Sequence, residues 1–182
     1  MKDMYYGMNI AGLDRKLPLC PISDKLMIGA FVIFGDPELT CRCAEELVKR
    51  LPEHDVLITA ESKGIPLGYE MAKQSGKNYV VARKAVKLYM TDPIAVEVRS
   101  ITTDFDQTLY LSSEDVARMK GKKVLIADDV ISTGESLNAL MKLAEKAECN
   151  VIAKAAVLAE GDAAYRNDII FLQELPLFTK EK

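Results

Sequence analysis

Short apolar runs alternate with segments of helical spacing along most of the chain. The apolar runs predict strands over residues 56–60, 79–82, 124–127, 151–158 and 169–172. Apolar residues at three- and four-residue spacing predict helices over residues 36–51, 65–75 and 135–148. Strands that alternate with helices favour an α/β fold, with a mostly parallel sheet flanked by helices on both faces.

Local signals mark the ends of two of these helices. Asp36-Pro37-Glu38 supplies a capping acid, a proline at the first helical position and a carboxylate in the first turn. Gly76 is the expected stop of the second helix. The first helix is therefore expected to begin at Pro37, capped by Asp36, and the second to be stopped by Gly76.

Two regions depart from this alternation. Residues 1–35 are the least regular, because Leu17-Pro18-Leu19-Cys20-Pro21 breaks any helix, while residues 26–34 are apolar enough for a strand or a packed flap. Residues 94–112 hold two strand-like patterns around a polar tip, which predicts a hairpin that projects from the sheet. We expect one domain over residues 1–182, in which a hood or flap at 1–38 covers a core at 39–178.

Bulk composition limits the function. The chain has 182 residues, 49% of them hydrophobic, and a formal net charge of −3, which suits one domain with a full core. The charge argues against nucleic acid as a partner, since nucleic-acid-binding proteins carry a basic excess. No apolar run approaches the length of a membrane span and no signal-peptide core follows Met1, so we expect no membrane partner and a cytoplasmic location.

Metal and thiol chemistry have little support. The four cysteines are Cys20, Cys41, Cys43 and Cys149, and they suggest no disulfide framework. Cys41 and Cys43 are two apart in a helical pattern and should face different sides. His54, the single histidine, follows Pro52-Glu53 and is interpreted as part of a solvated loop. We therefore expect no metal-ligand set supplied by the protein.

The strongest candidate site lies in residues 124–136. An apolar run ends in Asp128 and Asp129, and a turn containing Ser132-Thr133-Gly134 then opens a helix. Backbone N–H groups and hydroxyls at a helix N-terminus suit a phosphate, and carboxylates at the strand end suit sugar hydroxyls. The alternative is an ordinary strand-to-helix turn with a surface acid pair.

Basic residues follow two other predicted strands. Glu61-Ser62-Lys63-Gly64 comes directly after residues 56–60, and Arg83-Lys84, with Lys87 close behind, comes after residues 79–82. Open α/β sheets bind ligands at the carboxyl ends of their strands. These residues therefore indicate a second anion site near the first.

These motifs resemble those of one family. Residues 124–136 are similar to the diphosphoribosyl-binding signature of the type I phosphoribosyltransferases. Glu61–Gly64 and Val81-Ala82-Arg83-Lys84 are similar to the pyrophosphate loop and the Ala-Arg-Lys segment of the adenine branch. Leu175-Pro176-Leu177-Phe178 resembles a C-terminal piece of that branch, so the resemblance spans about residues 56–178.

The resemblance implies a reaction and roles for the site residues. A purine base would attack C1 of 5-phosphoribosyl diphosphate, which gives the nucleoside 5′-monophosphate and pyrophosphate, and Asp128 and Asp129 would bind the ribose and favour its oxocarbenium-like form. Mg²⁺ would come with the substrate, and a homodimer is expected because the basic residues act partly across a dimer interface. The residues implied for the 5′-phosphate are Ser132, Thr133, Gly134, Glu135 and Ser136, next to Ile131 as a further substrate-binding residue. Those implied for pyrophosphate are Ser62, Lys63, Gly64, Arg83, Lys84 and Lys87.

The predicted hairpin at 94–112 would be a lid that closes over the substrates. The adenine branch tends to carry Ser-x-x-x-Glu-Tyr there, whereas this chain has Ser100-Ile101-Thr102-Thr103-Asp104-Phe105. Asp104 would replace the glutamate as proton donor or acceptor to the purine, and Phe105 lacks the tyrosine hydroxyl. The alternative for Asp104 is a solvated loop acid.

The base is expected to lie under residues 17–39. Phe34, followed by Gly35-Asp36-Pro37, is loosely similar to a Phe-x-Asp segment of the adenine branch, and the purine would lie between Phe34 and the loop near Glu160. Phe34 as a core residue is the alternative. Adenine is the first candidate for the base, and xanthine and hypoxanthine-guanine are the rivals. The alternative class of protein is a regulator that binds phosphoribosyl diphosphate without turnover, because such regulators carry a segment similar to Lys63-Gly64-Ile65-Pro66.

Overall fold

A computed structural model describes residues 4–98 and 107–179. The described strands are β1 (Tyr5–Ile10), β2 (Leu13–Pro21), β3 (Leu26–Gly29), β4 (Val56–Ala60), β5 (Asn78–Ala82), β6 (Ile94–Val98), β7 (Gln107–Leu111), β8 (Lys123–Ile131), β9 (Asn150–Glu160), β10 (Ile170–Leu175) and β11 (Leu177–Thr179). The helices are α1 (Pro37–Val48), α2 (Gly64–Ser75), α3 (Ser113–Met119) and α4 (Glu135–Lys146), and a 3-10 helix covers Gly161–Tyr165.

The main sheet has five parallel strands in the order β10-β9-β8-β4-β5. All five residues of β4 are buried, which explains its unbroken apolar run. Leu57 packs with apolar residues of α1 and α2 on one face, and Ile58 packs with apolar residues of α4 and the β6–β7 hairpin on the other. The predicted α/β fold with helices on both faces is confirmed.

The predicted start of α1 and end of α2 are confirmed, whereas α1 ends at Val48 rather than at residue 51. Asp36 caps α1 by accepting a hydrogen bond from Leu39 N at 3.0 Å. The same carboxylate is 2.6 Å from Arg15 Nε, which ties the start of α1 to β2. Gly76 follows α2 with φ of +69°, a left-handed conformation that favours glycine.

The N-terminal region is more regular than predicted. Strands β1, β2, β3 and β11 form a second, antiparallel sheet in that order. Pro18 lies inside β2 and its carbonyl accepts from Ala30 N at 2.8 Å, while Pro21 ends the strand. Prolines that exclude a helix are thus compatible with this strand. The expectation that this is the least regular part of the chain was wrong over β1 and β2, whereas the possible strand within residues 26–34 is confirmed by β3.

The predicted hairpin is present. Strand β6 pairs with β7 in antiparallel register from Ile94↔Leu111 to Val98↔Gln107. Arg83 and Tyr110 exchange two backbone hydrogen bonds of 2.9 and 2.8 Å, which join the hairpin to the end of β5. The predicted lid residues Asp104 and Phe105 lie outside the described residues.

Two local features correct the sequence analysis. His54 is only 5% exposed, with Nδ1 3.1 Å from Pro52 O, so its interpretation as solvated was wrong. Helix α3 was not predicted, although Ser112 caps it by accepting from Asp115 N at 3.2 Å. In the described ranges, none of the helices is long and apolar enough to cross a membrane.

Candidate active site

A cavity of about 400 Å³ opens where β4 and β8 end. It lies at the carboxyl edge of the parallel sheet, the place where such sheets bind ligands. Both predicted anion-binding segments reach it, and Leu109 of the hairpin adds an apolar wall. The described lining residues are Ala60, Glu61, Ser62, Lys63, Lys84, Leu109, Asp128, Asp129, Val130, Ile131, Ser132, Thr133, Gly134, Glu135, Ser136 and Leu137.

The acid pair lies within β8 rather than at its end, because the strand continues to Ile131. Asp129 is 4% exposed, Asp128 is partly buried, and Asp128 Oδ1 accepts from Asp129 N at 2.9 Å. Burial, together with the adjacent carboxylate of Asp129, raises the pKa of Asp128. The cavity therefore holds two closely spaced carboxyl groups, one of which binds a proton more readily than an ordinary aspartate.

Lys63 connects several parts of the site. Its Nζ lies 2.7 Å from Asp129 Oδ2 and 3.4 Å from the carbonyl oxygen of Phe31. Burial raises the pKa of Glu160, at the end of β9, and the positive charge of Lys63 opposes this shift. The loop after β4, the acid pair, the segment after β3 and the end of β9 therefore converge on one lysine.

Gly64 has a packing role that its position in the motif did not reveal. A Cβ at this residue would clash with Thr59 Oγ1 and lie 3.2 Å from Asp128 Oδ1. Only glycine lets the first turn of α2 approach β4 and β8 so closely. Gly64 is absent from the described cavity lining, so it supports the acid pair from behind.

Glu61 organises the basic segment after β5. Its Oε2 accepts from Lys84 N at 3.0 Å and lies 3.4 Å from Arg83 Nε, and the first of these contacts lowers the pKa of Glu61. The peptide bond between Glu61 and Ser62 is cis. Lys84 lines the cavity, whereas Arg83 and Lys87 are not among the described lining residues. The sequence motif contains Glu61, but no role was predicted for it, although it directly follows β4 in the same loop as Lys63.

The predicted phosphate loop has exposed hydroxyls on a glycine turn. Ser132, Thr133 and Ser136 are exposed, and Ile131 is buried. Gly134 has φ of +83° and directly precedes α4, where its carbonyl accepts from Asn138 N at 2.8 Å. The first N–H groups of a helix have no partner within that helix. This loop can therefore offer both backbone and hydroxyl donors to an anion.

The two predicted base-binding residues lie at the margin of the site. Phe34 is 49% exposed in the loop between β3 and α1, so the alternative that it is a core residue was wrong. Glu160 is partly buried at the end of β9. Neither belongs to the described lining of the cavity. The third predicted residue for the base, Asp104, is outside the described residues.

The fold and the cavity together define an α/β protein with candidate anion-binding loops at the carboxyl edge of its parallel sheet. Residues 41–176 match the family model of the phosphoribosyl transferase domain. The chain belongs to this family, as its sequence motifs predicted.

Individual relatives carry purine specificities. The chain is 32% identical over 127 residues to an adenine phosphoribosyltransferase from Rhodococcus jostii, which covers 69% of each chain. It is 30% identical over 141 residues to a xanthine phosphoribosyltransferase from Lactobacillus helveticus, covering 75% of this chain and 72% of the relative. The crystal structure of adenine phosphoribosyltransferase from Rhodothermus marinus matches with a TM-score of 0.67 and 22% identity over 94% of each chain. The last match shows that the fold is the type I phosphoribosyltransferase fold.

Proposed function

We propose that the protein transfers the phosphoribosyl group of 5-phosphoribosyl diphosphate to a purine base, with adenine as the first candidate. The observation that carries this proposal is a single cavity in which a buried acid pair lies between two loops with anion-binding donors. The adenine and xanthine specificities of the relatives support a purine as the acceptor. The reaction breaks the bond between C1 and the diphosphate oxygen and forms a bond from C1 to a ring nitrogen.

The 5′-phosphate would bind the loop from Ile131 to Ser136. Exposed hydroxyls and the N–H groups at the start of α4 are donors of the kind that bind a phosphate. Asp128 and Asp129, directly upstream, would accept hydrogen bonds from the ribose hydroxyls. As positive charge develops at C1, the carboxylate of Asp129 stabilises the oxocarbenium-like transition state more than the ground state. Asp128, whose pKa is raised, would act mainly through its hydrogen bonds to the ribose.

Pyrophosphate would bind at the loop after β4. Ser62, Lys63 and Lys84 line this side of the cavity, and their donors lie where negative charge grows on the leaving group. Lys63 pairs with Asp129 when no substrate is present, and a pyrophosphate oxygen would replace that carboxylate as its partner. Gly64 is required for the close packing of α2 against β4 and β8 beneath this loop.

Arg83 and Lys87 would act in a homodimer. They lie in the segment 83–89, on which Val86, Leu88 and Tyr89 are exposed large hydrophobic residues. A cluster of exposed apolar residues on a polar surface is typical of a protein interface. A second copy that covers this cluster would bring Arg83 and Lys87 close to pyrophosphate at the subunit boundary.

Mg²⁺ would enter with the diphosphate. Carboxylate oxygens of Asp128 and Asp129 are donors of the kind that magnesium accepts, so the cavity is compatible with a magnesium–diphosphate complex. The ion would neutralise charge on the leaving group. The protein's own residues would hold the ribose and the outer phosphate oxygens.

The base would lie between the hood and the lid. Residues 1–38 would form the hood, with Phe34 against one face of the purine and Glu160 at its edge. Lys63 Nζ lies 3.4 Å from the carbonyl oxygen of Phe31, three residues before Phe34, and its charge acts on Glu160. The hairpin over residues 94–112 would close over the substrates and exclude water, and Leu109 already reaches the cavity. Asp104 would exchange a proton with the base. A cytoplasmic location stays a prediction.

A base panel tests the proposal. Purified protein, Mg²⁺ and phosphoribosyl diphosphate are incubated with adenine, hypoxanthine, guanine or xanthine, and pyrophosphate release is measured. The proposal predicts release with adenine and the highest kcat/KM for that base. Release with xanthine alone would overturn the choice of base, and tight binding of phosphoribosyl diphosphate without release would favour a regulator.

A further inference from the structure

Arg166 lies against the proposed phosphate loop although it follows the 3-10 helix, well outside the signature. A Cβ at Gly134 would be 3.0 Å from Arg166 Nη1. The guanidinium therefore occupies the space beside the Cα of Gly134, the residue that directly precedes α4. Chain folding brings a basic side chain to a loop whose own sequence contains none.

The guanidinium is held in a fixed orientation. Its Nε donates to Asp168 Oδ1 and its Nη2 to Asp168 Oδ2, both at 2.8 Å, in a bidentate pair. Lys154 Nζ donates to the same Asp168 Oδ2 at 2.7 Å. Within the described part of the chain, Nη1 donates no hydrogen bond. Asp168 thus leaves the Nη1 amino group available beside the loop.

Arg166 adds positive charge next to a loop that has only acidic charged side chains. Residues 128–136 carry the acidic side chains of Asp128, Asp129 and Glu135 and no basic side chain. A phosphate monoester adds roughly −1.5 to −2 charge at neutral pH. The group formed by Arg166, Lys154 and Asp168 has two positive charges and one negative charge, hence a net charge of +1. The acidic side chains of the loop would repel a bound phosphate, and this net positive charge can offset part of that repulsion.

We infer that Arg166 is an additional binding residue for the 5′-phosphate, through a charge-assisted hydrogen bond from Nη1. Asp168 is a positioning residue, because it orients the guanidinium without contacting the ligand. The inference rests on the proposed function, since it assigns a contact within the same site. It makes the protein selective for sugars that carry a 5′-phosphate over those that do not.

Calorimetric titration tests this assignment without turnover. Wild type, Arg166→Ala and Arg166→Gln are titrated with ribose 5-phosphate and, separately, with magnesium pyrophosphate. Both variants should weaken ribose 5-phosphate binding about tenfold or more, because they remove a charge-assisted hydrogen bond to the phosphate. Pyrophosphate affinity should be unchanged, and Arg166→Lys should recover part of the loss because it restores the charge.

Arg42→Ala is the matched control, since it removes an arginine whose local ion pair with Glu45 lies on α1. It should leave both affinities unchanged. Unaltered ribose 5-phosphate binding in Arg166→Gln would overturn the inference alone, and so would an equal loss of pyrophosphate binding. A wild-type protein that binds neither ligand would overturn the proposed function and the inference with it.

Discussion

Lys63 and Asp129 form an ion pair across the cavity, with Nζ 2.7 Å from Oδ2. The Asp129 side chain is 6% exposed, whereas that of Lys63 is 44% exposed. The buried carboxylate therefore depends on a lysine that can move towards solvent. Substrate binding must separate the pair if Lys63 binds pyrophosphate and Asp129 binds ribose.

Removal of Lys63 should destabilise the protein. Lys63→Met leaves the Asp129 charge buried without its ion pair, and we expect the free energy of unfolding to fall by about 1–3 kcal/mol. In Lys63→Met/Asp129→Asn the loss should largely disappear, since no charge is left unpaired. Urea denaturation at pH 7 measures both variants. Lys49→Met, which removes exposed pairs with Glu45 and Glu46, is the control and should cost under about 1 kcal/mol.

Asp129→Asn should separate catalysis from binding. The amide keeps the shape of the side chain but cannot stabilise positive charge at C1, so kcat should fall about 100-fold or more while the affinity for the product monophosphate changes little. Steady-state kinetics measure kcat, and titration with the product monophosphate measures its affinity. Asp14→Asn, an exposed position at the start of β2, should alter neither. Equal losses in both quantities would mean that Asp129 only positions the sugar.

Gly64→Ala should disrupt both packing and activity. The added methyl group would clash with Thr59 Oγ1 and approach Asp128 Oδ1, so we expect a loss of about 1–3 kcal/mol in unfolding free energy. Gly7→Ala is the control, because a Cβ at Gly7 meets nothing within 4 Å. Thr59→Ala in the Gly64→Ala background removes the clashing oxygen and should restore part of the stability. Thermal unfolding of the four proteins checks this relationship.

Local sequence signals predicted the core well. The run at residues 56–60 became β4 with the same bounds, and Gly76 ended α2 as expected, because both signals depend on neighbouring residues. The same reasoning failed for β2, where Pro18 excludes a helix but does not prevent a strand. It also overlooked Ser112 and Asp115, a cap-and-acid pair that does identify the start of α3.

Contacts between distant residues could not be predicted in this way. The cavity lining includes most of the predicted phosphate and acid residues, since one motif contains them. The placement of Arg166 beside Gly134 depends on how β9 and the 3-10 helix return to the loop. The burial of His54 likewise depends on packing that the polar residues around it do not suggest.

Asp128 should make stability depend on pH. Because burial and Asp129 raise its pKa above the ordinary value of 3.8, the folded protein binds more protons than the unfolded chain between the two values. The contribution of Asp128 to the stability of the folded protein therefore becomes less favourable as pH rises through this window. Asp128→Asn should be more stable than wild type by about 1 kcal/mol or more at pH 8, and the difference should vanish near pH 4.

Asp36→Asn provides a comparison of opposite sign. The hydrogen bond from Arg15 lowers the pKa of Asp36, so this carboxylate stabilises the protein above its ordinary pKa and loses the effect as pH falls through the lowered value. The deficit of Asp36→Asn should therefore shrink in acid. Urea denaturation from about pH 2 to pH 8 covers the window of each carboxyl group, below 3.8 for Asp36 and above it for Asp128. A flat difference for Asp128→Asn would contradict the raised pKa.

Phosphorus NMR of the complete reaction tests the central claim most directly. Purified protein is mixed with Mg²⁺, phosphoribosyl diphosphate and adenine, and the spectra are followed over time. We expect the resonances of adenosine monophosphate and pyrophosphate to appear in equal amounts as those of phosphoribosyl diphosphate disappear. Intact phosphoribosyl diphosphate, with adenine and with each other purine, would contradict the account.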